Sequence, residues 1–362
     1  MAAHRMGSGV AAKLAGMVVL IGAVVGCTSG GHLSSPTTTG AAPSTTSTSA
    51  AAATGSTPGS AAALQDAFVA VVAKVRPQVV QISAGSGLGS GVIYDTAGDV
   101  VTNAHVVGSA TTFTVQLVDG QQLSAGLVGV YAPDDLAVIK LAGAKNLSPA
   151  AFADSDAVQV GDIVFAVGNP LGLSSSVTEG IVSYNGRPVS EGNGVVLPST
   201  IQTSAPINPG NSGGAVVDLD GRVIGIPTLA AADQQLGGAA PGIGFAIPSN
   251  AVKLIAGQLI ASGHVTHSDR AALDISAVDG VDSAGRPVGA VVTRVAPGGS
   301  ADAAGIKAGE LITAIAGKKT ASLADLQTVL AQLAPGQKVT VDVVAEDGAE
   351  RSVTATLSQL QG

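Results

Sequence analysis

Short apolar runs separated by turn residues dominate residues 79–226 of this 362-residue chain. The runs are rich in Val and Ile and are bounded by Gly, Asp and Pro, a pattern typical of strands in an all-β sandwich or barrel. A helical interpretation fails because Gly and Pro recur too often. The predicted strands are 79–82, 91–94, 100–102, 112–118, 137–141, 163–167, 177–182, 195–201, 215–217 and 223–226.

Helical spacing of apolar residues predicts helices on either side of this region. The first covers 64–72, where apolar residues recur on one face. A second is predicted to begin at Ser249 as its cap and to end at Gly263. In the C-terminal part, which mixes strands with two helices, one helix is predicted to begin at Ser322, with Asp325 three residues on.

The N-terminus has the pattern of an export signal. Arg5 and Lys13 precede the apolar run 14–25, which is too short to span a bilayer. The run ends in Val-Val-Gly-Cys at Cys27, which resembles a bacterial lipobox. We therefore expect cleavage before Cys27, a diacylglyceryl thioether on its sulfur, and an outward-facing anchor in the bacterial cell envelope. An ordinary signal peptide with a Cys near its cleavage site is the alternative.

The residues after Cys27 form a low-complexity segment of Ser, Thr, Pro, Ala and Gly. No charged residue occurs between Cys27 and Asp66. Such a segment buries too little apolar surface to offset its ordering entropy, so we expect a disordered tether, unmodified or O-glycosylated. The predicted organisation is a lipoprotein signal peptide at 1–26, the tether at 27–60, and folded domains at 61–263 and 271–362.

Composition narrows the classes of function. The formal charge of −8 opposes nucleic-acid binding. With 46% apolar residues the chain can form buried cores. Cys27 is the single cysteine, which excludes an intramolecular disulfide and a structural Cys-ligated zinc site. We expect no cofactor and no metal. The alternative is a metal site formed by His264, His267 and Asp269, but no other residue nearby completes the coordination shell.

Three segments carry the residue types of nucleophilic catalysis, in the chain order His, Asp, Ser. His105 follows a predicted strand, Asp134 and Asp135 stand at a strand entrance, and Ser212 lies in the turn Gly-Asn-Ser-Gly-Gly. A Ser hydroxyl becomes nucleophilic when a His takes its proton and a carboxylate orients that His. Glycines beside the Ser allow backbone N–H groups to point at one oxyanion. Each segment also has a non-catalytic interpretation: the His could simply be packed or lie at the surface, the Asp could be a turn residue, and the Gly-rich segment could be a solvated loop.

These motifs resemble the HtrA (Deg) family of serine proteases. The matching stretches include Thr-Asn-Ala-His-Val-Val, Asp-Leu-Ala-Val and Asn-Pro-Gly-Asn-Ser-Gly-Gly. The family implies a mostly β fold, with a trypsin-like double β-barrel followed by a small α+β PDZ domain. It implies Ser212 as nucleophile, His105 as general base and acid, and Asp135 as orienting carboxylate, because the family's acid directly precedes Leu-Ala-Val. The N–H groups of Gly210 and Ser212 would form the oxyanion hole.

The resemblance also implies two sites for substrates and ligands. Ile207 and Ile226 would line the primary specificity pocket and favour small or medium apolar side chains before the scissile bond. Leu273, Asp274 and Ile275 would form the loop of the PDZ domain that binds peptides. The family usually has Gly at the position of Asp274, so we expect its side chain and charge to oppose an incoming carboxylate.

The implied function is an envelope-anchored endopeptidase that cleaves unfolded or damaged exported proteins and is regulated by its PDZ domain. Family members commonly trimerise through an N-terminal segment with aromatic residues, for which this chain offers Phe68. Ser204 and Ala215 stand where many members carry Asp and Pro. The alternative functions are a latent or non-catalytic chaperone or adaptor that binds peptides at the cell surface, and an adhesion or host-interaction protein.

Overall fold

A computed structural model describes residues 58–361, with gaps at 86, 170–175, 193–194, 209 and 234–237. The predicted signal peptide, Cys27 and the predicted tether up to residue 57 lie outside the described residues. Within the described part of the chain, no helix is long and apolar enough to cross a bilayer.

The first helix, α1 (Pro58–Val75), packs against the folded part of its own chain. Val71 and Val75 are buried in the main core. The ring of Phe68 meets Phe165 edge-to-face, with centroids 4.8 Å apart, a favourable aromatic geometry. Phe68 is thus engaged within this chain, and trimeric assembly stays a prediction.

The first barrel contains six described strands in the closed order β1-β2-β3-β6-β5-β4. A one-turn helix, α2 (Ala104–Val107), follows β3 directly. The prediction did not include β5. The strands are β1 (Val79–Ala84), β2 (Gly87–Ile93), β3 (Asp99–Thr102), β4 (Thr112–Gln116), β5 (Gln122–Tyr131) and β6 (Leu136–Leu141).

The second barrel is also closed, and its described strands have the order β10-β11-β12-β9-β8-β7. Strand β12 was missing from the prediction. The strands are β7 (Ile163–Gly168), β8 (Ser176–Gly192), β9 (Val195–Thr203), β10 (Ala215–Val217), β11 (Val223–Asp233) and β12 (Gly238–Pro248).

The two barrels share a core, and this explains why their strands read as continuous apolar runs. Successive strand residues point to opposite faces. On β6, Ile139 points into the first barrel while Val138 joins the core between the barrels. Phe165 and Val217 of the second barrel belong to the same shared core. Both faces of such strands are buried, so no polar alternation is needed.

Helix α3 (Ser249–Ser262) covers the shared core with one face that includes Val252, Ile255 and Leu259. Gly263 ends the helix in a left-handed conformation with φ 78°, as predicted. The predicted cap by Ser249 was wrong. Ser249 is the first helical residue, and its hydroxyl donates to the carbonyl of Ala153 at 3.0 Å, which ties the helix to the barrel instead.

The C-terminal part is a sheet in the order β14-β15-β16-β18-β19, with β17 beside β16 and a separate β13–β20 pair. Two helices accompany it, and Ser322 caps the second as predicted, accepting the N–H of Asp325 at 3.1 Å. A mostly β fold with a trypsin-like double barrel and a PDZ domain is therefore confirmed. The elements are β13 (Ala271–Ala272), β14 (Ile275–Val281), β15 (Pro287–Val295), α4 (Ser300–Ala303), β16 (Leu311–Ile315), β17 (Lys318–Lys319), α5 (Leu323–Leu330), β18 (Lys338–Val344), β19 (Glu350–Thr356) and β20 (Ser358–Gln359).

Candidate catalytic site

The first barrel brings His105 and Asp135 together. His105 lies in α2, at the end of β3, and Asp135 precedes the neighbouring strand β6. The imidazole Nδ1 lies 2.8 Å from Asp135 Oδ2, and the backbone N–H of His105 donates to Oδ1 at 2.9 Å. The carboxylate therefore holds both the ring and the backbone of the same residue. About half of the His105 side chain is exposed, so substrate can reach it.

The backbone of Asp135 is held as firmly as its side chain. Its φ of 50° lies in the left-handed region, which Asp tolerates better than most residues. Its carbonyl accepts the backbone N–H of Ala104 at 3.0 Å and the side-chain amide of Asn103 at 3.1 Å. These contacts join the turn before β6 to the turn after β3 and fix the carboxylate against the imidazole.

Thr228 is a site residue that the sequence analysis missed. It lies on β11 of the second barrel, is 6% exposed, and its hydroxyl donates to Asp135 Oδ2 at 2.6 Å. Its carbonyl accepts the Ser212 hydroxyl at 3.3 Å. Thr228 thus contacts both the carboxylate of one barrel and the candidate nucleophile of the other. Little in the local sequence points to this role, since a Thr within an apolar strand has no signature of its own.

Ser212 lies in the tight turn that leads into β10 and is half-buried. The turn is closed by the N–H of Asn211 on Asn208 O at 3.0 Å and that of Gly214 on Asn211 O at 2.9 Å. Gly210 and Gly213 have φ values of 98° and 79°, which residues with a Cβ rarely adopt. The Gly-rich pattern therefore has a direct conformational reason at these two positions.

The structure does not place the two pocket candidates in one lining. Ile226 is fully buried in the core shared by the barrels, whereas Ile207 is 6% exposed and belongs to the interior cluster of the second barrel. Ile207 packs tightly against the backbone of Gly244 on β12. Ile226 presents no surface to a substrate in this conformation, and a lining role for Ile207 stays a prediction.

The predicted peptide loop of the PDZ domain lines a cavity of about 550 Å³. Leu273 and Ile275 face helix α5 across it, and Val196 of the second barrel also contributes. Asp274 has φ 57°, and its Oδ2 accepts the N–H of Ser300, the first residue of α4, at 2.8 Å. The carboxylate is thus engaged inside its own domain, and the expected opposition to a ligand carboxylate stays a prediction.

A buried ion pair connects the start of the PDZ domain to the residue before Asp135. Arg270 Nη1 lies 2.8 Å from Asp134 Oδ1, with the two side chains 11% and 7% exposed. The same guanidinium donates to the carbonyls of Pro133 and Val196. Burial raises the pKa of Asp134, and the charge of Arg270 opposes that rise. Arg270 lies directly before the second predicted domain, and no motif in the sequence singled it out.

The other singled-out residues have defined places. Ser204 accepts the N–H of Ile181 at 3.0 Å, so it ties β8 to the segment before the Ser212 turn without the carboxylate common in the family. Ala215 is fully buried at the start of β10. His267 Nε2 lies 3.0 Å from Asp269 Oδ1, whereas His264 bonds to a backbone carbonyl. Within the described ranges, no group of three or more His, Cys, Asp or Glu could hold a metal.

A double barrel with His and Asp from one half and Ser from the other, followed by a PDZ domain, is the architecture of the trypsin-like class of serine peptidases. Residues 89–226 match the trypsin-like peptidase domain family and residues 291–344 match the PDZ domain family. The chain belongs to the HtrA family of serine proteases.

Relatives in sequence and structure agree with that assignment. The chain is 43% identical over 279 residues to the periplasmic serine endoprotease DegP of Escherichia coli K12, covering 75% of this chain and 57% of the relative. Identity to the pH-dependent serine endoprotease DegQ of the same organism is 41%, covering 75% and 59%. The chain therefore spans less than two thirds of the length of these curated relatives.

Solved structures match nearly over their full length. A serine endoprotease from Yersinia pestis has a TM-score of 0.56 at 33% identity, covering 81% of this chain and 98% of that one. The HtrA-type protease AlgW with a decapeptide has a TM-score of 0.56 at 30% identity, with the same coverage of each chain.

Proposed function

We propose that the protein is a serine endopeptidase that hydrolyses peptide bonds in unfolded polypeptides. The observation that carries this proposal is the hydrogen-bonded His105–Asp135 pair, joined to the Ser212 turn through Thr228. Three features support acyl transfer by a Ser–His–Asp triad: the residue types, their order along the chain, and the half-buried position of the Ser where the two barrels meet.

The first chemical step forms the acyl-enzyme. Ser212 Oγ attacks the scissile carbonyl carbon while His105 Nε2 takes the hydroxyl proton, so the hydroxyl must turn from Thr228 O towards the imidazole. Asp135 keeps the other ring proton on Nδ1 and stabilises the imidazolium. The tetrahedral intermediate collapses, the C–N bond breaks, and the imidazolium gives its proton to the leaving amine.

The second step hydrolyses the ester. Water gives a proton to His105 and its oxygen attacks the acyl carbon, and collapse returns the proton to Ser212 Oγ and releases the acid. In both steps negative charge develops on the carbonyl oxygen. The N–H groups of Gly210 and Ser212 are the proposed donors to it, and such a donor is typically worth about 3–4 kcal/mol. The positive φ of Gly210 supports this assignment.

The proposed substrates are polypeptides with small or medium apolar residues before the scissile bond. The support is the aliphatic character of the second barrel near the Ser212 turn, where Ile207 lies. Cleavage-site profiling with casein peptides checks this preference. Cuts concentrated after charged residues would contradict it.

We infer that the PDZ domain regulates the site through Arg270. The residues that follow it, Ala271 to Ile275, line the 550 Å³ cavity together with helix α5, so the ligand groove and the Asp134 ion pair share one short segment. An extended apolar peptide added beside β14 is the proposed ligand. Peptides that raise proteolysis in the parent and not in an Arg270→Gln variant would support this route.

The proposed location is the outer face of the bacterial cell membrane, with Cys27 as the lipidated residue. The support is the lipobox-like sequence and the periplasmic location of the relatives DegP and DegQ. A Cys27→Ser variant is expected to leave the membrane fraction and to lose the mass of the lipid. Unchanged fractionation would contradict lipid anchoring.

The activity is tested on unfolded casein near neutral pH, with the Ser212→Ala variant beside the parent. We expect the parent to cleave and the variant, equally folded by circular dichroism, to leave casein intact. Equal cleavage by both would remove Ser212 from the mechanism. No cleavage by either, even with apolar peptides added for the PDZ groove, would favour a peptide-binding chaperone or adaptor.

A further inference from the structure

Ser90 is a buried polar residue on the opposite barrel from Ser212. It lies on β2 between Gly89 and Gly91 and is 0% exposed. A buried hydroxyl costs free energy unless it is hydrogen-bonded. The partners of Ser90 therefore indicate why a polar side chain stands in this strand.

The backbone and side-chain polar atoms of Ser90 form hydrogen bonds with residues in and around the Ser212 turn. Its N–H donates to the carbonyl of Ser212 at 2.9 Å, and its hydroxyl donates to the carbonyl of Gly210 at 2.6 Å. The same hydroxyl oxygen accepts the N–H of Asn169 at 2.8 Å, and the Ser90 carbonyl accepts the Thr102 hydroxyl at 2.7 Å. One residue of the first barrel thus forms hydrogen bonds to the nucleophile turn at both Gly210 and Ser212.

The two held carbonyls belong to the same residues, Gly210 and Ser212, that carry the proposed oxyanion donors. Gly210 has φ 98°, and a glycine backbone rotates at little steric cost. The N–H of Ser212 lies on a peptide group between the two held carbonyls, and the N–H of Gly210 lies on the peptide group just before the first. Because Ser90 holds the carbonyl of Gly210 and Asn208 O accepts the next N–H, that of Asn211, at 3.0 Å, the peptide group that follows Gly210 is held on both sides, which limits how far the two donors can turn apart. Preorganised donors stabilise a transition state because they need not reorient during the reaction.

Glycines allow close packing around Ser90, both within the first barrel and against the nucleophile turn. A Cβ on Gly89 would lie 2.6 Å from the Val106 side chain, and one on Gly91 would lie 2.6 Å from Val100. A Cβ on Gly213 would collide with the carbonyl of Ser90.

We propose that Ser90 is a positioning residue of the oxyanion hole, acting through the carbonyl of Gly210. The inference rests on the proposed peptidase function and assigns a role that the triad does not cover. Ser90 touches no reacting atom. Its loss is expected to loosen the donors and to leave binding of the peptide chain intact.

The test compares Ser90→Ala with Ser249→Ala in the full chain. Ser249 is a matched control, since it is also 0% exposed and its hydroxyl also donates to a backbone carbonyl, that of Ala153 at 3.0 Å. Both variants lose a buried donor, and Ser90→Ala also loses the acceptor of the Asn169 N–H, so a loss of thermal stability is expected for both and a larger one for Ser90→Ala. We expect kcat on a casein-derived peptide to fall about 10- to 100-fold for Ser90→Ala alone, with KM changed less than about twofold.

A second readout separates positioning from general structure. A peptide valine boronate forms a tetrahedral adduct with the Ser hydroxyl and places an oxygen in the oxyanion hole. Its inhibition constant should rise by the same factor by which kcat/KM falls in Ser90→Ala, whereas the affinity of the cleaved product peptide should not change. Ser90→Cys keeps the volume with a weaker donor, and we expect intermediate values.

Parental kcat and boronate affinity in a folded Ser90→Ala would overturn the inference. A loss that appears only in KM, or that Ser249→Ala shares, would also overturn it and assign Ser90 to stability. Absence of cleavage and of boronate binding in the parent is a different result, because it contradicts the proposed peptidase function rather than the role of Ser90.

Discussion

Replacing Arg270 by Gln removes the cation from the buried pair that precedes Asp135. The variant keeps a polar but shorter side chain and loses the charge. Asp134, with a side chain 7% exposed, would then be a buried carboxylate without its Nη1 partner at 2.8 Å. The carbonyl of Val196 would lose its donor at 2.7 Å as well.

The expected cost is large. Breaking a buried pair by removing one partner typically costs about 3–5 kcal/mol, because an uncompensated charge stays in the interior. At roughly 2 °C per kcal/mol for a large domain, the melting temperature should fall by about 6–10 °C. Arg286→Gln is the matched control. Its pair with Asp282 lies at the surface, with Arg286 78% exposed, and such pairs contribute about 0–1 kcal/mol.

The destabilisation should depend on pH with a defined sign. Burial raises the pKa of Asp134 above its ordinary 3.8, and Arg270 opposes that rise. A carboxyl whose folded-state pKa is raised stabilises the fold below its ordinary pKa, and that contribution is lost as pH rises through the folded value. Without Arg270 the pKa rises further, so the stability gap between parent and variant should widen from acidic to neutral pH.

The assay is thermal unfolding near pH 4 and near neutral pH, for Arg270→Gln, Asp134→Asn and the double variant. Asp134→Asn removes the buried charge that Arg270→Gln leaves unpaired. The double variant should therefore lose less free energy of unfolding than the two single variants lose together, by more than about 1 kcal/mol. Additive losses, or a gap between parent and Arg270→Gln that does not grow with pH, would refute the reasoning.

Three further substitutions test the site. Asp135→Asn should lower kcat about 10⁴-fold without unfolding, since the wrong tautomer of the His would be held; a peptide cleavage assay measures this. Thr228→Val should lower kcat/KM about tenfold in the same assay, because a hydrogen bond to a charged group is lost, while Thr228→Ser should resemble the parent. Gly213→Ala should cost at least about 2 kcal/mol in urea unfolding, since φ is 79° and the Cβ would meet the Ser90 carbonyl. Gly257→Ala, a helical position with open space around its Cβ, should be neutral or stabilising.

Local patterns predicted the fold where both faces of a strand are apolar. β10 (Ala215–Val217) matched to the residue because it is a short apolar run between turn signals. β5 was missed because Gly126, Gly129 and polar residues interrupt it, and β12 because its first half is Gly, Ala and Pro. Both strands are held by pairing with neighbours in their barrels, which a local window does not contain.

Site residues were likewise predictable only where a local motif contained them. His105, Asp135 and Ser212 each stand in a short motif, so residue type and chain order pointed to them. Thr228 lies 93 residues from Asp135, and Arg270 lies 136 residues from Asp134. Nothing in the local sequence of either residue indicates its partner, because the contact exists only after the barrels and the PDZ domain have packed.

The activated Ser212 is tested most directly by covalent labelling. A fluorophosphonate probe reacts with a Ser whose proton is taken by a neighbouring His, and peptide mass spectrometry locates the adduct. We expect one adduct, on Ser212, with the labelling rate of His105→Ala reduced at least about 10³-fold. An adduct on another residue, or equal labelling of parent and His105→Ala, would contradict a triad of Ser212, His105 and Asp135.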